Sequence, residues 1–287
     1  MDKKIILITG ASSGIGRQTA MELAKQGHQL IIHGQDPEKT KGVFEEIIKE
    51  TGNKDIEMFA ADFSLMAEVK SFSEKIKEKY DHLDVLINNA GAQFGGTREE
   101  TSEGHEKTIA INTLAPFLLT NLLMDLLKKS TSARIVTVSS ESYRQGGTPN
   151  WDDIEMVHDY SLTRSYGLSK RFVWWLMREF SERLKKNGIK NVTVNTCEPG
   201  SAVTGLQRVS GQGTMMKIVM FLWKPFVWSV EKAAATSIYL ATSEDVEGIS
   251  GKFYGDCKEK DIKSKWISDE GQKKIWDYCA KACKPYL

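Results

Sequence analysis

Short apolar runs rich in Ile, Leu and Val alternate with longer helix-patterned stretches from the N-terminus to about residue 255, and this alternation constrains the fold more than any other feature. Repeated strand–helix–strand units lay their strands parallel and cover both faces of the sheet with helices. The runs are Lys4 to Thr9, Gln29 to His33, Ile56 to Ala61, Val85 to Asn88, Arg134 to Ser139, Val192 to Cys197 and Lys252 to Tyr254. Most are continuously apolar rather than alternating, as strands covered on both faces are. The pattern predicts an α/β architecture, a doubly wound parallel sheet of about seven strands. Between the runs, Ser12 or Ser13 is placed to cap a helix ending at Gly27, and Asp36 before Pro37 to cap one ending near Gly52. Further helices are expected from about Leu65 to Lys79, Ser102 to Lys128, Thr163 to Lys186 and Val230 to Ala241.

Composition narrows the class. With 40% hydrophobic and 27% charged residues, the 287-residue chain has material for one large domain with a real core. Lys and Arg number 39 against 38 Asp and Glu, so no net field gathers nucleic acid, and no nucleic-acid partner is expected. The longest charge-free run, between Lys107 and Asp125, carries Asn112, Thr113, Pro116, Thr120 and Asn121 and reads as a buried helix, too short and polar for a membrane span. No export signal is visible at the N-terminus, and four cysteines are too few for a disulfide scaffold, so reduced thiols and a cytoplasmic setting are expected. Cys279 and Cys283 could face one ligand, but nothing nearby completes a metal site.

The chemistry-bearing residues lie at the ends of the predicted strands. Thr9-Gly10-Ala11-Ser12-Ser13-Gly14-Ile15-Gly16 joins the first strand to the first helix. Its glycines permit a tight turn and close backbone approach to a pyrophosphate seated on the positive helix end. Gly16 is followed by Arg17-Gln18, so this is not a nucleoside-triphosphate loop. Tyr166 and Lys170 stand four residues apart on one helix face, where a cation can bring a phenol's pKa from near 10 toward working pH. The Ser140 hydroxyl can project at the carboxyl edge of the sheet, where ligands of such folds bind.

The ordered set TGxxxGIG, Asn88-Asn89-Ala90-Gly91, Ser140, Tyr166-x-x-x-Lys170 and Pro199-Gly200 with Thr204 resembles the short-chain dehydrogenase/reductase family over about residues 4 to 255. The resemblance implies a Rossmann fold and a catalytic tetrad of Asn112, Ser140, Tyr166 and Lys170. It further implies that a nicotinamide dinucleotide is held by Thr9, Gly10, Ser12, Ser13, Gly14, Ile15 and Gly16, by Gln35, by Asp62 and Phe63, by Asn89, Ala90 and Gly91, by Tyr166 and Lys170, and by Pro199, Gly200 and Thr204. In such enzymes hydride passes between the nicotinamide and a carbonyl or alcohol carbon while the tyrosine gives or takes the proton. Asn112 matches the family residue that holds a water linking the lysine to solvent.

Cofactor choice turns on His33-Gly34-Gln35-Asp36. Gly34 stands where relatives preferring NAD carry an acid, and Gln35 where many preferring NADP carry Arg; with Arg17 and Lys39 as sources of positive charge, NADP(H) is favoured over NAD(H). The long Ser140 to Tyr166 separation, with Asn150-Trp151-Asp152-Asp153 inside it, and the Met- and Trp-rich stretch between Pro199 and Ala233 resemble the retinol dehydrogenase and protochlorophyllide reductase branches. A substrate lid is expected at about 201–229, where Met215, Met216, Met220, Phe221, Leu222 and Trp223 suit a lipophilic carbonyl or alcohol. Peripheral membrane contact by Met215 to Val230 is a further reading, interrupted by Pro225. Residues 1–255 are thus expected to form the dinucleotide-binding and catalytic domain, with 256–287 a helical extension packed on it, in a monomer or homodimer. A dinucleotide-sensing protein acting through partners is the alternative to an enzyme.

Overall fold

The computed structural model describes residues 2–200 and 229–287. One eight-stranded sheet runs in the order β3-β2-β1-β4-β5-β6-β7-β8. The strands are β1 (Ile5–Ile8), β2 (Gln29–Gly34), β3 (Ile56–Ala60), β4 (Val85–Asn88), β5 (Ala133–Val138), β6 (Val192–Glu198), β7 (Phe253–Gly255) and β8 (Lys258–Glu259). β1 to β7 pair in parallel, and β8 returns antiparallel to β7. This is the expected doubly wound sheet with one strand added. β8 consists of two exposed polar residues, so no apolar run announces it; Asp256 and Cys257, both at positive φ (52° and 58°), make the turn into it.

Alternate side chains of each central strand enter opposite cores, as the two-residue period demands. Ile6, Ile8, Leu30 and Ile32 pack with α1 (Gly14–Lys25), α2 (Pro37–Thr51) and α8 (Val230–Thr242). Leu7 and Ile31 face the other layer, built from α3 (Met66–Lys79), α4 (Lys107–Ile109), α5 (Ala115–Leu122), α6 (Met124–Lys129), α7 (Leu162–Lys186) and α9 (Asp269–Ala282). Asp36 caps α2 by accepting from the Glu38 and Lys39 N–H groups, as its place before Pro37 suggests. Ser13 stands at the N-cap of α1 but makes no side-chain capping bond.

The helix expected from Ser102 to Lys128 is shorter and interrupted. It begins at Lys107, where the buried Glu106 carboxylate accepts from the Thr108 and Ile109 N–H groups. It then passes through a π-helical turn at Ala110–Leu114 before α5. Pro116 has no N–H to return to the Asn112 carbonyl, and the Ala115 N–H reaches back five residues to Ala110 O instead. Asn112 therefore sits on a widened turn.

The C-terminal helix α9 docks against α7: Ile275, Cys279 and Cys283 are fully buried, and Trp276 stacks edge-on against Phe180 and Phe117 at 4.6 and 5.1 Å. The Glu155 carboxylate, from the 141–161 excursion, bonds His105 Nδ1 (2.8 Å), the Glu106 N–H (2.6 Å) and the Tyr278 hydroxyl, joining three segments distant in sequence. Among the described residues no helix is long and apolar enough to cross a membrane. Thr204 and the Met215 to Trp223 stretch lie outside the described residues.

Candidate active site

In the strand order, β1 is flanked by β2 and β4, so the connections from the two sides diverge and open a crevice at the carboxyl ends of β1 and β4. Thr9 and Asn89 close its floor. Thr9 Oγ1 accepts from the Asn89 and Ala90 N–H groups (3.0 and 2.9 Å), while Asn89 Nδ2 donates to Thr9 O (2.8 Å) and Gly10 O (3.2 Å). Both side chains are spent on joining the glycine-rich loop to the turn after β4. A Cβ on Gly10, whose φ is +67°, would stand 2.7 Å from Ala90 Cα, and one on Gly16 would overlap Gly10 O. The loop thus closes backbone on backbone, which glycine alone allows.

Sequence reasoning missed His33 in this loop. Its buried ring accepts from the Gly10 N–H at Nδ1 (3.3 Å), which assigns the proton to Nε2, 3.0 Å from Ala61 O. Burial pushes its pKa down to about 4, so the ring is neutral. The ring stacks on Phe63 at 3.8 Å, and Phe63 in turn packs on Phe72. The Phe63 ring therefore belongs to the core. Asp62 remains partly exposed, its Oδ1 accepting from the Ser64 N–H (2.9 Å). The only signal for His33 was its place at the end of the second strand.

At the adenosine end, Gly34 is hemmed in. A Cβ there would overlap Thr40 Oγ1 and stand 2.8 Å from Ser12 Cβ, so an acidic side chain does not fit without rearrangement. Gln35 is exposed beside it. The two expected sources of positive charge are paired: the Arg17 guanidinium grips Glu46 with two nitrogens, and Lys39 lies 3.2 Å from Asp36 in an exposed pair.

The structure brings the four tetrad positions together. Ser140 stands two residues after the last residue of β5, its hydroxyl beside the Tyr166 phenol and accepting from the Ser142 N–H (3.2 Å). Lys170 is buried, with Nζ donating to Val138 O (3.1 Å) and lying 5.8 Å from the Tyr166 ring centroid. A Cβ on Gly91 would be 3.0 Å from Lys170 Nζ and 3.1 Å from Asn112 Oδ1, so both side chains converge on that glycine. Asn112 Nδ2 donates to Ala92 O (2.9 Å) and Ser169 Oγ (3.0 Å), and its Oδ1 accepts from the Ala92 N–H (2.9 Å). The electrostatics correct the expected pairing. Burial pushes the Tyr166 phenol up, opposed only by the Ser140 hydrogen bond, and pushes Lys170 down to about 8. Desolvation dominates at both groups.

Pro199 and Gly200 follow β6 at the same sheet edge. Gly200, at φ +70°, donates its N–H to Glu198 Oε2 (2.6 Å), a buried carboxylate that motif reading passed over although it directly precedes Pro199.

These residues fit a nicotinamide dinucleotide. The Gly10 to Gly16 loop turns backbone against backbone directly into the N-terminus of α1, and the Ser13 side chain at that N-cap is not spent on the helix. A hydroxyl, a phenol and an amine stand together at the far end of the crevice. The family model for short chain dehydrogenase matches residues 4–214. Human retinol dehydrogenase 14 is 36% identical over 96% of this chain and 85% of its own length, and mouse retinol dehydrogenase 13 is 34% identical over 97% and 83%. A short chain dehydrogenase of Shigella flexneri, solved in complex with NADP, aligns with a TM-score of 0.66 and 25% identity over 90% of this chain and 98% of that one. The chain belongs to the short-chain dehydrogenase/reductase family and is an NAD(P)-dependent oxidoreductase acting on CH–OH and C=O groups.

Proposed function

We propose that this enzyme interconverts lipophilic carbonyls and alcohols with NADP(H), using Tyr166 as the proton donor and acceptor. The observation that carries this reading is the convergence at the carboxyl edge of the sheet of the Ser140 hydroxyl, the Tyr166 phenol and Lys170 Nζ, the last 5.8 Å from the Tyr166 ring centroid. The dinucleotide, when bound, supplies or takes up the hydride. Its pyrophosphate would lie on Gly10, Ser12, Ser13, Gly14, Ile15 and Gly16, its adenosine beside Gln35, Asp62 and Phe63, and its nicotinamide half near Asn89, Ala90, Gly91, Pro199, Gly200 and Thr204. Ser140 Oγ orients the substrate oxygen and Tyr166 Oη delivers the proton to it. Lys170 holds positive charge beside the phenol, and Asn112 keeps Gly91 and α7 in register through Ala92 and Ser169.

For the 2′-phosphate, the supporting facts are the neutral and crowded Gly34 position and the exposed Lys39, whose pair with Asp36 is weak enough to exchange. The Shigella structure's NADP agrees with this choice. A lipophilic substrate accords with the names of the retinol dehydrogenase relatives. In this reading residues 1–255 are the catalytic domain, 201–229 its lid and 256–287 an extension. The free cysteines accord with a cytoplasmic setting.

The test is steady-state oxidation of NADPH and of NADH with all-trans-retinal, decanal and lipophilic ketones, alongside Tyr166→Phe. Expected are turnover with a higher kcat/KM for NADPH, and a loss of about 10²-fold or more in Tyr166→Phe with NADPH still bound. Turnover retained by Tyr166→Phe removes the role given to Tyr166. A kcat/KM for NADH equal to or above that for NADPH removes the cofactor assignment.

A further inference from the structure

Lys260, just beyond β8, has no place in the family motifs, yet its ammonium bonds two carboxylates from the site. Nζ lies 2.6 Å from Glu141 Oε1 and 2.5 Å from Glu198 Oε1. Glu141 directly follows Ser140. Glu198 directly precedes Pro199 and holds the Gly200 N–H with its other oxygen at 2.6 Å. The loop ends of β5 and β6 are thus joined through one cation supplied by a third segment. The local fold is built for this contact: the Lys260 N–H donates to Phe253 O (2.8 Å), and a Cβ on Gly255 would overlap Glu198 Oε1 and stand 2.6 Å from Lys260 Cε.

We infer that Lys260 is a positioning residue that sets the spacing between Ser140 and the Pro199-Gly200 turn, and thereby where the substrate oxygen and the nicotinamide half of the cofactor meet. The inference rests on the site reading proposed above. Two carboxylates held by one nitrogen repel each other once it is removed, and Glu198, whose side chain is 4% exposed, has no solvent to turn to. Glu141 can swing outward toward water, where Arg144 already pairs with it at 2.9 Å. Loss of the cation therefore moves the two loop ends apart, whereas the adenosine end, on the other side of β1, shares no contact with the triad. The Lys260–Glu141 arm, about one-third exposed on both sides, contributes little to global stability, while losing the Glu198 arm leaves a buried carboxylate unpaired and costs stability as well, so the comparison of the two ligands rather than Tm reads position.

The experiment titrates intrinsic tryptophan fluorescence with NADPH and with adenosine 2′,5′-bisphosphate, which lacks the nicotinamide half, in wild type, Lys260→Met, Lys260→Arg and Glu141→Gln. Expected is an NADPH Kd about tenfold higher in Lys260→Met, an adenosine 2′,5′-bisphosphate Kd within about twofold of wild type, and recovery of most of the loss in Lys260→Arg. Glu141→Gln, which leaves the Glu198 arm intact, should lower kcat with decanal about tenfold at an unchanged NADPH Kd. Equal Kd values for both ligands in Lys260→Met and wild type overturn the inference, as does a parallel rise for both accompanied by a lower Tm. Should Lys260→Met fail to fold, an unchanged kcat in Glu141→Gln overturns it alone. Tyr166→Phe separates the two levels: if that variant turns over normally the site reading fails, whereas if it is inactive while Lys260→Met matches wild type, only the role of Lys260 fails.

Discussion

Replacing Thr9 by Val removes one oxygen from the join between the glycine-rich loop and the turn after β4. The cost can be worked from what each bonded group has left. Thr9 Oγ1 accepts from two N–H groups and donates to Ile87 O at 3.3 Å. Ile87 O keeps the Thr9 N–H at 3.0 Å, and the Asn89 N–H keeps Ile87 O at 3.0 Å. Only the Ala90 N–H loses its acceptor outright. One unsatisfied N–H in a largely dry site costs about 1–3 kcal/mol, and the loss of the second, shared bond is partly offset by no longer burying a hydroxyl. The expected destabilisation of Thr9→Val is therefore about 2 kcal/mol, with Thr9→Ser, which keeps the oxygen, losing less than half of that. Equilibrium urea unfolding measures it as a lower midpoint at unchanged slope. Because the loop it anchors is the dinucleotide cradle, NADPH affinity should fall in the same order, Thr9→Val below Thr9→Ser below wild type. A Thr9→Val protein within about 0.5 kcal/mol of wild type would refute the reasoning, since variation away from such contacts spans that range.

Two further predictions concern pH. His33 is neutral and buried, with its pKa at about 4 against an ordinary 6.5. The unfolded chain takes up a proton first as pH falls, so the stability His33 contributes is complete above 6.5 and is lost between 6.5 and 4, by roughly 3 kcal/mol. Urea midpoints of wild type and His33→Gln should converge across that window, and parallel curves would count against a buried neutral ring. Lys170, pushed down to about 8 from 10.5, works in the same sense in a higher window. Its ammonium is buried at a cost that is full below pH 8 and relieved as pH rises from 8 to 10.5. Lys170→Met should therefore be the more stable protein at pH 7, by up to roughly 3 kcal/mol less the lost bond to Val138 O, with the advantage gone by about pH 10.5. A variant no more stable than wild type at pH 7 argues against that burial cost.

How far the sequence could be read follows from where each property resides. Strands such as Ile5–Ile8 and Leu30–Ile32 were legible because burial on both faces demands continuous apolar runs, and the Gly10 to Gly16 loop because close backbone approach demands glycine. β8 was not legible, since two exposed polar residues pair only because β7 offers an edge. His33, Glu198 and Lys260 escaped motif reading because their partners, Gly10, Lys260 and Glu141, lie on other segments that only the folded sheet brings near.

The same limit governs the chemistry. Spacing alone puts Tyr166 and Lys170 on one helix face, and from that a cation lowering a phenol's pKa is the natural expectation. Burial, a property of the whole fold, reverses the sign at the phenol and draws the amine down to about 8. In the proposed role this matters for direction. A phenol held protonated at neutral pH is already in the form that donates to a carbonyl oxygen. Proton abstraction from an alcohol must first form a phenolate in a dry site, with the Ser140 hydrogen bond and the Lys170 charge as its compensation. The oxidative rate should therefore climb with pH, while the reductive rate stays level through neutrality and falls only where Tyr166 ionises. An oxidative profile that is flat between pH 7 and 9 would show that something other than Tyr166 takes the proton.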